Sequence, residues 1–182
     1  MARILRLILL GGTLALGLIC TANRGYAQRT DWAAIYAKND KDVAKRSGLT
    51  QSQVRVLRQL AGISEDSGEL VQRVDTSYLS RKNVLVLSAY GGTAQCVSFW
   101  VFSLAGDSFK LIWDMGEAGD EANFCADPRC SLPQVGLREN LDVVVSIPSF
   151  RRGKCSVRSS GRFHWNGSGY TFRGISPVPD AK

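Results

Sequence analysis

The sequence predicts an α+β fold in which two N-terminal helices pack on an antiparallel β-sheet made of two related strand–hairpin units and stapled by disulfides. Apolar residues recur at helical spacing within residues 28–62, and the period changes to two from Glu69 onward. A pattern of apolar strand, cysteine, aromatic strand and glycine turn occurs twice, starting at Asn83 and at Asn140. Four cysteines outside the N-terminal region favour disulfides. No motif in the chain indicates an activity.

The first 27 residues predict a cleaved signal peptide. Two arginines precede an apolar run of 14 residues, Leu7 to Cys20, and this run is followed by small residues up to Ala27. Such a run is shorter than the roughly 20 apolar residues that span a bilayer. The mature chain is therefore expected to begin at Gln28 and to be periplasmic or secreted. An uncleaved membrane anchor and a lipid anchor on Cys20 are the alternatives.

The length and net charge of the chain limit its number of domains and its classes of partner. The 155 residues after the signal suit one domain. Removing the signal lowers the formal net charge from +7 to +4, and this mild value, together with export, argues against nucleic acid as a partner. Residues 107–127 hold six acids against one lysine, whereas residues 138–182 hold eight bases against three acids. These segments are either ordinary solvated faces or an electrostatic docking surface.

Residues 28–62 are predicted to form two helices. Asp31 suits the N-cap of the first helix, which Ser47 and Gly48 should end. Thr50 and Gln53 fit a capping box at the start of the second helix. The second helix is expected to bury Val54, Leu57, Leu60 and Ala61 and to point Arg55 and Arg58 outward.

Residues 63–175 are predicted to form the sheet part of the same domain. Val84 to Leu87 is a continuous apolar run, which is typical of a strand covered on both faces, and Val143–Val145 and Phe99–Phe102 are interpreted in the same way. Glycine-containing turns at residues 105–108 and 166–169 indicate hairpins and hence antiparallel pairing. Residues 176–182, which include two prolines, are expected to form a flexible tail.

The four remaining cysteines are expected to form two disulfides, and three pairings are possible. Cys125 and Cys130 enclose a short loop that contains a proline, while Cys96 and Cys155 occupy matching places in the two units. These positions favour pairing Cys125 with Cys130 and Cys96 with Cys155. A zinc site is disfavoured because the chain lacks a C-x-x-C pair and has one histidine.

Catalytic and cofactor sites are not predicted. The only histidine, His164, lies in a predicted strand and is interpreted as a packed or rim residue. The sequence contains neither a nucleophile motif nor a phosphate-binding glycine loop, and no cofactor or metal is expected. A carboxylate pair for hydrolysis and a calcium site remain alternatives to a simple solvated loop. The carboxylates considered for both are Asp114, Glu117, Asp120, Glu121 and Asp127.

The predicted function is that of an exported, non-catalytic binding or inhibitor-type module that acts through residues 115–134. This polar connection is unusually long, and long loops in compact domains are often functional. Within this connection, the expected disulfide between Cys125 and Cys130 would close a short, rigid loop. Such a loop loses little entropy when it docks onto another exported or host protein. One alternative is a module that binds cell-wall polysaccharide through Trp165 and Tyr170, and another is a small hydrolase. The loop residues predicted to bind are Asp127, Pro128, Arg129, Glu117, Asp120 and Glu121.

The layout of signal, helices and antiparallel sheet with a Cys-x4-Cys loop is loosely similar to that of the periplasmic inhibitors of vertebrate lysozyme. Those proteins carry a histidine and a proline in the loop. Residues 125–130, which read Cys-Ala-Asp-Pro-Arg-Cys, keep the proline and lack the histidine. The resemblance covers these six residues and the coarse layout, and it does not assign the chain to that family.

Overall fold

The computed structural model describes residues 30–91, 95–118 and 124–179. Within these ranges the chain forms two antiparallel sheets and three α-helices, and the helices lie in the N-terminal part. The predicted α+β fold is therefore confirmed. The predicted signal peptide and two of the predicted binding residues, Asp120 and Glu121, lie outside the described residues.

The first helix, α1, spans Trp32–Ser47 and begins and ends where its capping residues require. The side chain of Asp31 accepts a hydrogen bond from the backbone N–H of Ala34 at 3.0 Å, which satisfies one of the free donors of the first turn. Gly48 follows the helix with a φ of 73°, a left-handed conformation that glycine adopts without strain. Both predicted ends of the helix are confirmed.

The second helix, α2, spans Gln51–Leu60 and carries the predicted capping box. The backbone of Gln53 donates to the Thr50 hydroxyl at 3.2 Å, and the backbone of Thr50 donates to the Gln53 amide oxygen at 2.8 Å. Val54 and Leu57 are fully buried as predicted. The prediction is wrong for Leu60, which is 42% exposed, because the chain packs its next residues, Ala61 and Ile63, against the core instead.

Arg58 also differs from its predicted outward position. Its guanidinium donates to both carboxylate oxygens of buried Asp40, at 3.0 and 3.2 Å, and lies 4.4 Å from the ring centre of Tyr36. A bidentate pair of this kind ties α2 to α1, because the buried carboxylate requires a partner.

The first sheet, sheet A, has strand order β1-β2-β3-β4, with the short strand β5 paired to β3. The second, sheet B, has the order β6-β7-β8-β9. A short helix, α3, lies between β1 and β2, and a 3-10 helix follows β4. The bounds are β1 Glu69–Asp75, α3 Leu79–Lys82, β2 Val84–Gly91, β3 Cys96–Ala105, β4 Ser108–Asp114, the 3-10 helix Met115–Ala118, β5 Phe124–Cys125, β6 Gln134–Leu137, β7 Val143–Arg151, β8 Lys154–Trp165 and β9 Tyr170–Pro177.

The two related units form two sheets rather than the single sheet that the sequence predicts. The first unit supplies β2, β3 and β4, and the second supplies β7, β8 and β9, each in sequential antiparallel order. The predicted hairpins are present in both. Strand β9 continues to Pro177, and the backbone of Val178 still donates to Arg158. Residues 176–178 are thus paired to β8, where a flexible tail was expected.

Sheet A lies between the helices and sheet B. Leu85 and Leu87 point into the core formed with α1 and α2, whereas Val84 and Val86 point into the core shared with sheet B. The second core includes an edge-to-face contact between Phe99 of β3 and Phe163 of β8, with ring centres 4.9 Å apart. The predicted coverage of both faces is confirmed for β2.

The same prediction is wrong for β7. Val143 and Val145 are fully buried, but Val144 is only partly buried and lies on the other face of sheet B. The main helix contacts of the described elements are with sheet A, and Lys82 at the end of α3 reaches this second face. Sheet B therefore has one face in the core and one face open, as is common for antiparallel sheets.

Candidate functional site

The segment of residues 125–130, here called the clamped segment, is fixed at both ends by disulfides to different sheets. Cys125 pairs with Cys96 of β3, and Cys130 pairs with Cys155 of β8. The predicted pairing is therefore wrong. It assumed that matching positions of the two units meet, but the units lie in separate sheets, and β5 places Cys125 directly opposite Cys96. The loop that resembled the lysozyme inhibitors is not closed on itself.

The residue before the clamped segment anchors it in the core. Phe124 is fully buried, and its ring lies 5.6 Å from that of Phe163. The ring packs directly against the backbone of Gly161, where an added Cβ would lie 2.2 Å from the nearest ring carbon. Only glycine allows this approach. The start of the clamped segment is thus held by packing as well as by a disulfide.

The tip of the clamped segment is organised by an ion pair between Asp127 and Arg129. The guanidinium donates to both carboxylate oxygens, at 2.9 and 2.8 Å, and the backbone N–H of Arg129 adds a third bond at 3.0 Å. These bonds from Arg129 lower the pKa of the Asp127 carboxyl to about 2. Pro128, between them, is exposed, and its carbonyl accepts from the Gln95 side chain at 3.0 Å. The tip therefore has a fixed shape and little net charge.

A basic hairpin adjoins the clamped segment. The guanidinium of Arg129 lies 4.0 Å from the ring centre of Phe150, which precedes the turn between β7 and β8. Arg151, Arg152 and Lys154 are exposed around this turn, and none forms an ion pair with an acid of the described ranges. The clamped segment and this basic hairpin (residues 151–154) form one continuous surface with an excess of positive charge.

Of the predicted acidic binding residues outside the clamped segment, the structure describes Glu117. Glu117 is exposed on the 3-10 helix, and its backbone N–H donates to Asp114 at 3.3 Å. In the part of the chain that the structure describes, no group of three or more His, Cys, Asp or Glu side chains is placed to hold a metal ion. The Asp114 carboxylate thus accepts from the backbone of Glu117, and the Asp127 carboxylate is bound by Arg129.

The aromatic residues of the alternative hypothesis pair with each other across β8 and β9. The rings of Trp165 and Tyr170 are 5.0 Å apart, and Tyr170 also packs against buried Trp113 at 5.2 Å. The phenol donates to the carbonyl of Leu141 at 2.9 Å, and burial, together with the nearby charge of Asp142, raises the pKa of Tyr170. Tyr170 is thus directed toward the core rather than toward a ligand, and Trp165 is only partly exposed.

Sequence reasoning missed a polar cluster centred on Asp142. This carboxylate is 1% exposed and accepts hydrogen bonds from Arg162 Nε at 3.0 Å, His164 Nδ1 at 2.9 Å and the backbone N–H of Trp165 at 3.3 Å. Burial raises the pKa of Asp142, but hydrogen bonds from His164, Asn140 and Trp165 and the charge of Arg162 outweigh it, and the net shift is downward. A signal was present in the sequence, since an acid within an apolar run requires buried partners.

Comparisons with protein-family models, curated proteins and solved structures found no match to this chain. The described helices are all too short or too polar to cross a membrane. The two disulfides are compatible with folding in an oxidising compartment such as the periplasm or the cell exterior.

Proposed function

We propose that this protein is an exported, non-catalytic binding module that docks another exported or host protein through residues 115–134, with the clamped segment at the centre of the contact. The observation that carries the proposal is the attachment of this segment at both ends, through Cys125 to sheet A and through Cys130 to sheet B. An exposed tip held in this way is suited to enter a cleft on a partner.

Rigidity gives the clamped segment an energetic advantage in binding. Ordering a flexible residue costs about 1–2 kcal/mol of backbone entropy. In the clamped segment this entropy is already lost on folding. The segment is held by two disulfides, the buried ring of Phe124 and the ion pair of Asp127 with Arg129. Association therefore loses less entropy than it would with a free loop of the same length.

The charge of the surface indicates the chemistry of the partner. The Asp127 and Arg129 charges compensate each other, whereas Arg151, Arg152 and Lys154 of the basic hairpin have no acidic partner within the described ranges. We therefore expect a partner whose binding cleft accepts Pro128 and whose rim carries carboxylates. Complementary rim charges accelerate association and select partners more than they strengthen binding.

The chemistry of the clamped segment supports binding rather than catalysis. A general acid or base works best with a pKa near the operating pH. Asp127 has a pKa of about 2 and is occupied by Arg129, so at neutral pH it stays ionised and paired. The four cysteines of the described chain are in disulfides and supply no thiolate nucleophile.

Affinity capture with matched variants tests this proposal. The oxidised mature protein is immobilised and exposed to periplasmic, secreted and host extracts, beside Asp127→Ala/Arg129→Ala and a control, Asp107→Ala/Lys110→Ala. The control removes the same charges from the exposed β3–β4 hairpin. We expect a partner that the wild type and control retain and the Asp127→Ala/Arg129→Ala variant loses. Equal retention by all three proteins would contradict the proposal.

A second comparison separates rigidity from side-chain chemistry. Cys96→Ser/Cys125→Ser removes one of the two disulfides that hold the clamped segment and keeps Asp127, Pro128 and Arg129. If pre-ordering contributes to affinity, this variant binds the captured partner more weakly while a circular dichroism spectrum like that of the wild type shows an intact fold. Unchanged affinity would show that the clamp is only structural.

A further inference from the structure

The geometry of sheet B points to a second binding site: its open face carries a basic groove that takes a linear anionic polysaccharide. Two adjoining cavities of about 790 and 400 Å³ form the groove and share Asn140 and Arg162 as lining residues. Lys82 and Arg138 line the first cavity, and His164 and Arg173 line the second. This site is separate in its residues from the clamped segment, and its occupant is of a different chemical class.

The buried carboxylate of Asp142 orients two side chains of the groove toward solvent. Arg162 and His164 contact it through Nε and Nδ1, respectively. The terminal amino groups of Arg162 are then left to donate to an anionic ligand, whereas Nε2 of a neutral His164 can accept from a ligand hydroxyl. The two side chains are 59% and 43% exposed. A fixed guanidinium presenting two parallel donors matches a carboxylate, sulfate or phosphate group. The groove thus contains a pre-ordered anion-binding point.

The groove carries more positive than negative charge. Arg138 and Arg173 are exposed and form no ion pair with any acid in the described part of the chain. Lys82 donates to the backbone carbonyl of Glu139 rather than to its carboxylate. The four permanent cations exceed the two carboxylates that line the cavities, even with His164 counted as neutral. A concave surface of one sign concentrates ligands of the opposite charge.

The spacing of the cations favours a chain with repeated charges over a single small anion. Arg138 directly follows β6, Arg162 is on β8 and Arg173 is on β9, so the cations are distributed across the whole sheet. Four neighbouring strands cover about 14 Å at the usual interstrand spacing. A small anion can contact the cations at one part of the sheet, whereas a linear polymer can contact several cations at once.

The lining residues favour a polysaccharide over nucleic acid or a lipid surface. Sites for single-stranded nucleic acid combine cations with aromatic rings on which the bases stack, and neither cavity is lined by Phe, Tyr or Trp. Interfacial membrane-binding elements combine cations with large apolar side chains that enter the bilayer, and the aliphatic residue lining these cavities is Val144. Ser160 and Asn140 supply a hydroxyl and an amide that can bond to sugar hydroxyl groups.

Binding of heparin, a sulfated polysaccharide, to the oxidised mature protein tests the inference by titration calorimetry at low and physiological salt. Arg138→Gln/Arg173→Gln is the main variant, because neither side chain supports the fold through a described ion pair. Arg151→Gln/Arg152→Gln removes the same charge from the basic hairpin as a control. We expect the first variant to lose at least about tenfold in affinity, or about 1.4 kcal/mol, because it removes two charged hydrogen-bond donors from the groove. The control should lose much less. Equal losses, or no heparin binding by the wild type, would overturn the inference.

Asp142→Asn separates positioning from general attraction. This change removes a negative charge from the groove, so attraction by net charge alone predicts tighter heparin binding. If Asp142 acts by orienting Arg162 and His164, the affinity falls although the groove becomes more positive. Tighter binding would contradict the positioning role.

An oligonucleotide and vesicles containing phosphatidylglycerol complete the test, and stronger binding to either than to heparin would contradict the choice of a polysaccharide. Asp127→Ala/Arg129→Ala should bind heparin like the wild type, so failure of the docking proposal leaves this site testable.

Discussion

The carboxylate of Asp142 lies 2.9 Å from Nδ1 of His164, and although the carboxylate is almost fully buried the histidine is 43% exposed. Asp142, the residue before β7, thus supplies a buried acid, and the neighbouring strand β8 presents its basic partners on the open face. Three hydrogen-bond donors hold the Asp142 carboxylate in place, and the carboxylate in turn orients the side chains of Arg162 and His164. The contact between Asp142 and His164 therefore affects both the stability of sheet B and the chemistry of its open face.

Replacing Asp142 by Ala should destabilise the protein by about 1–3 kcal/mol at pH 7, because the hydrogen-bond donors around it lose a charged acceptor. The pKa of this carboxyl is lowered by folding, so its ionised form stabilises the fold above about pH 4 and the contribution is lost as the pH falls. Urea unfolding of wild type and variant at pH 7 and pH 3 measures this. A difference in the free energy of unfolding that does not shrink at pH 3 would contradict the prediction.

Gly161→Ala should destabilise the protein by at least about 1–3 kcal/mol, since the new methyl group would overlap the ring of Phe124. Gly169→Ala is the matched control, because a Cβ at that position meets no atom within 4 Å. Thermal unfolding of both variants gives the comparison. Similar melting temperatures for the two would show that the close approach of Phe124 to β8 is absent.

The disulfide pattern should be Cys96–Cys125 and Cys130–Cys155. Mass spectrometry of peptides from the non-reduced protein identifies the linked pairs directly, and a Cys125–Cys130 link would contradict the clamp. Replacing Cys130 and Cys155 by Ser should cost about 3.5 kcal/mol, as expected from loop entropy for a sequence separation of 25 residues. Chemical unfolding under oxidising conditions measures this loss.

The carboxyl of Asp127 should titrate with a pKa of about 2, because Arg129 binds both of its oxygens. NMR of the carboxyl carbon measures this value. In Arg129→Gln the pKa should return toward the ordinary value near 3.9. A wild-type pKa close to that ordinary value would show that the tip of the clamped segment is not organised by this pair.

Export should remove the predicted signal peptide. N-terminal sequencing of the protein recovered from its native compartment should begin at Gln28, because the apolar run ends before the small residues at Ala27. Recovery of the intact chain with the membrane fraction would favour the uncleaved anchor instead.

Local chemistry in the sequence was sufficient to predict the helix caps at Asp31 and Thr50 and the double coverage of β2. These features depend on residues that are close in the chain. The division into two sheets depends on where sequential pairing stops, between β4 and β6, and the apolar runs of β2 and β7 do not encode this. The error in the disulfides follows from the same cause, because Cys96 and Cys155 are equivalent in pattern but lie in different sheets.

The candidate sites differ in the same way, because one joins residues that are close in the chain and the other joins residues that are distant in it. The ion pair of Asp127 with Arg129 joins residues two apart, and the sequence placed both at the tip of a rigid loop. The cluster around Asp142 joins β8 to the residue before β7, so its members are about 20 residues apart. Although the acid in an apolar run indicated a buried partner, the identity of that partner became clear only from the strand register.

Site-specific photo-crosslinking at Pro128 in the native compartment is the most direct test of docking through the clamped segment. A photoreactive residue at position 128 should yield a crosslinked protein partner, and the same residue at Asp107, on the exposed β3–β4 turn, should not. The crosslink should weaken when Cys96 and Cys125 are both replaced by Ser. No crosslinked partner at position 128, or the same partners at both positions, would contradict the proposal.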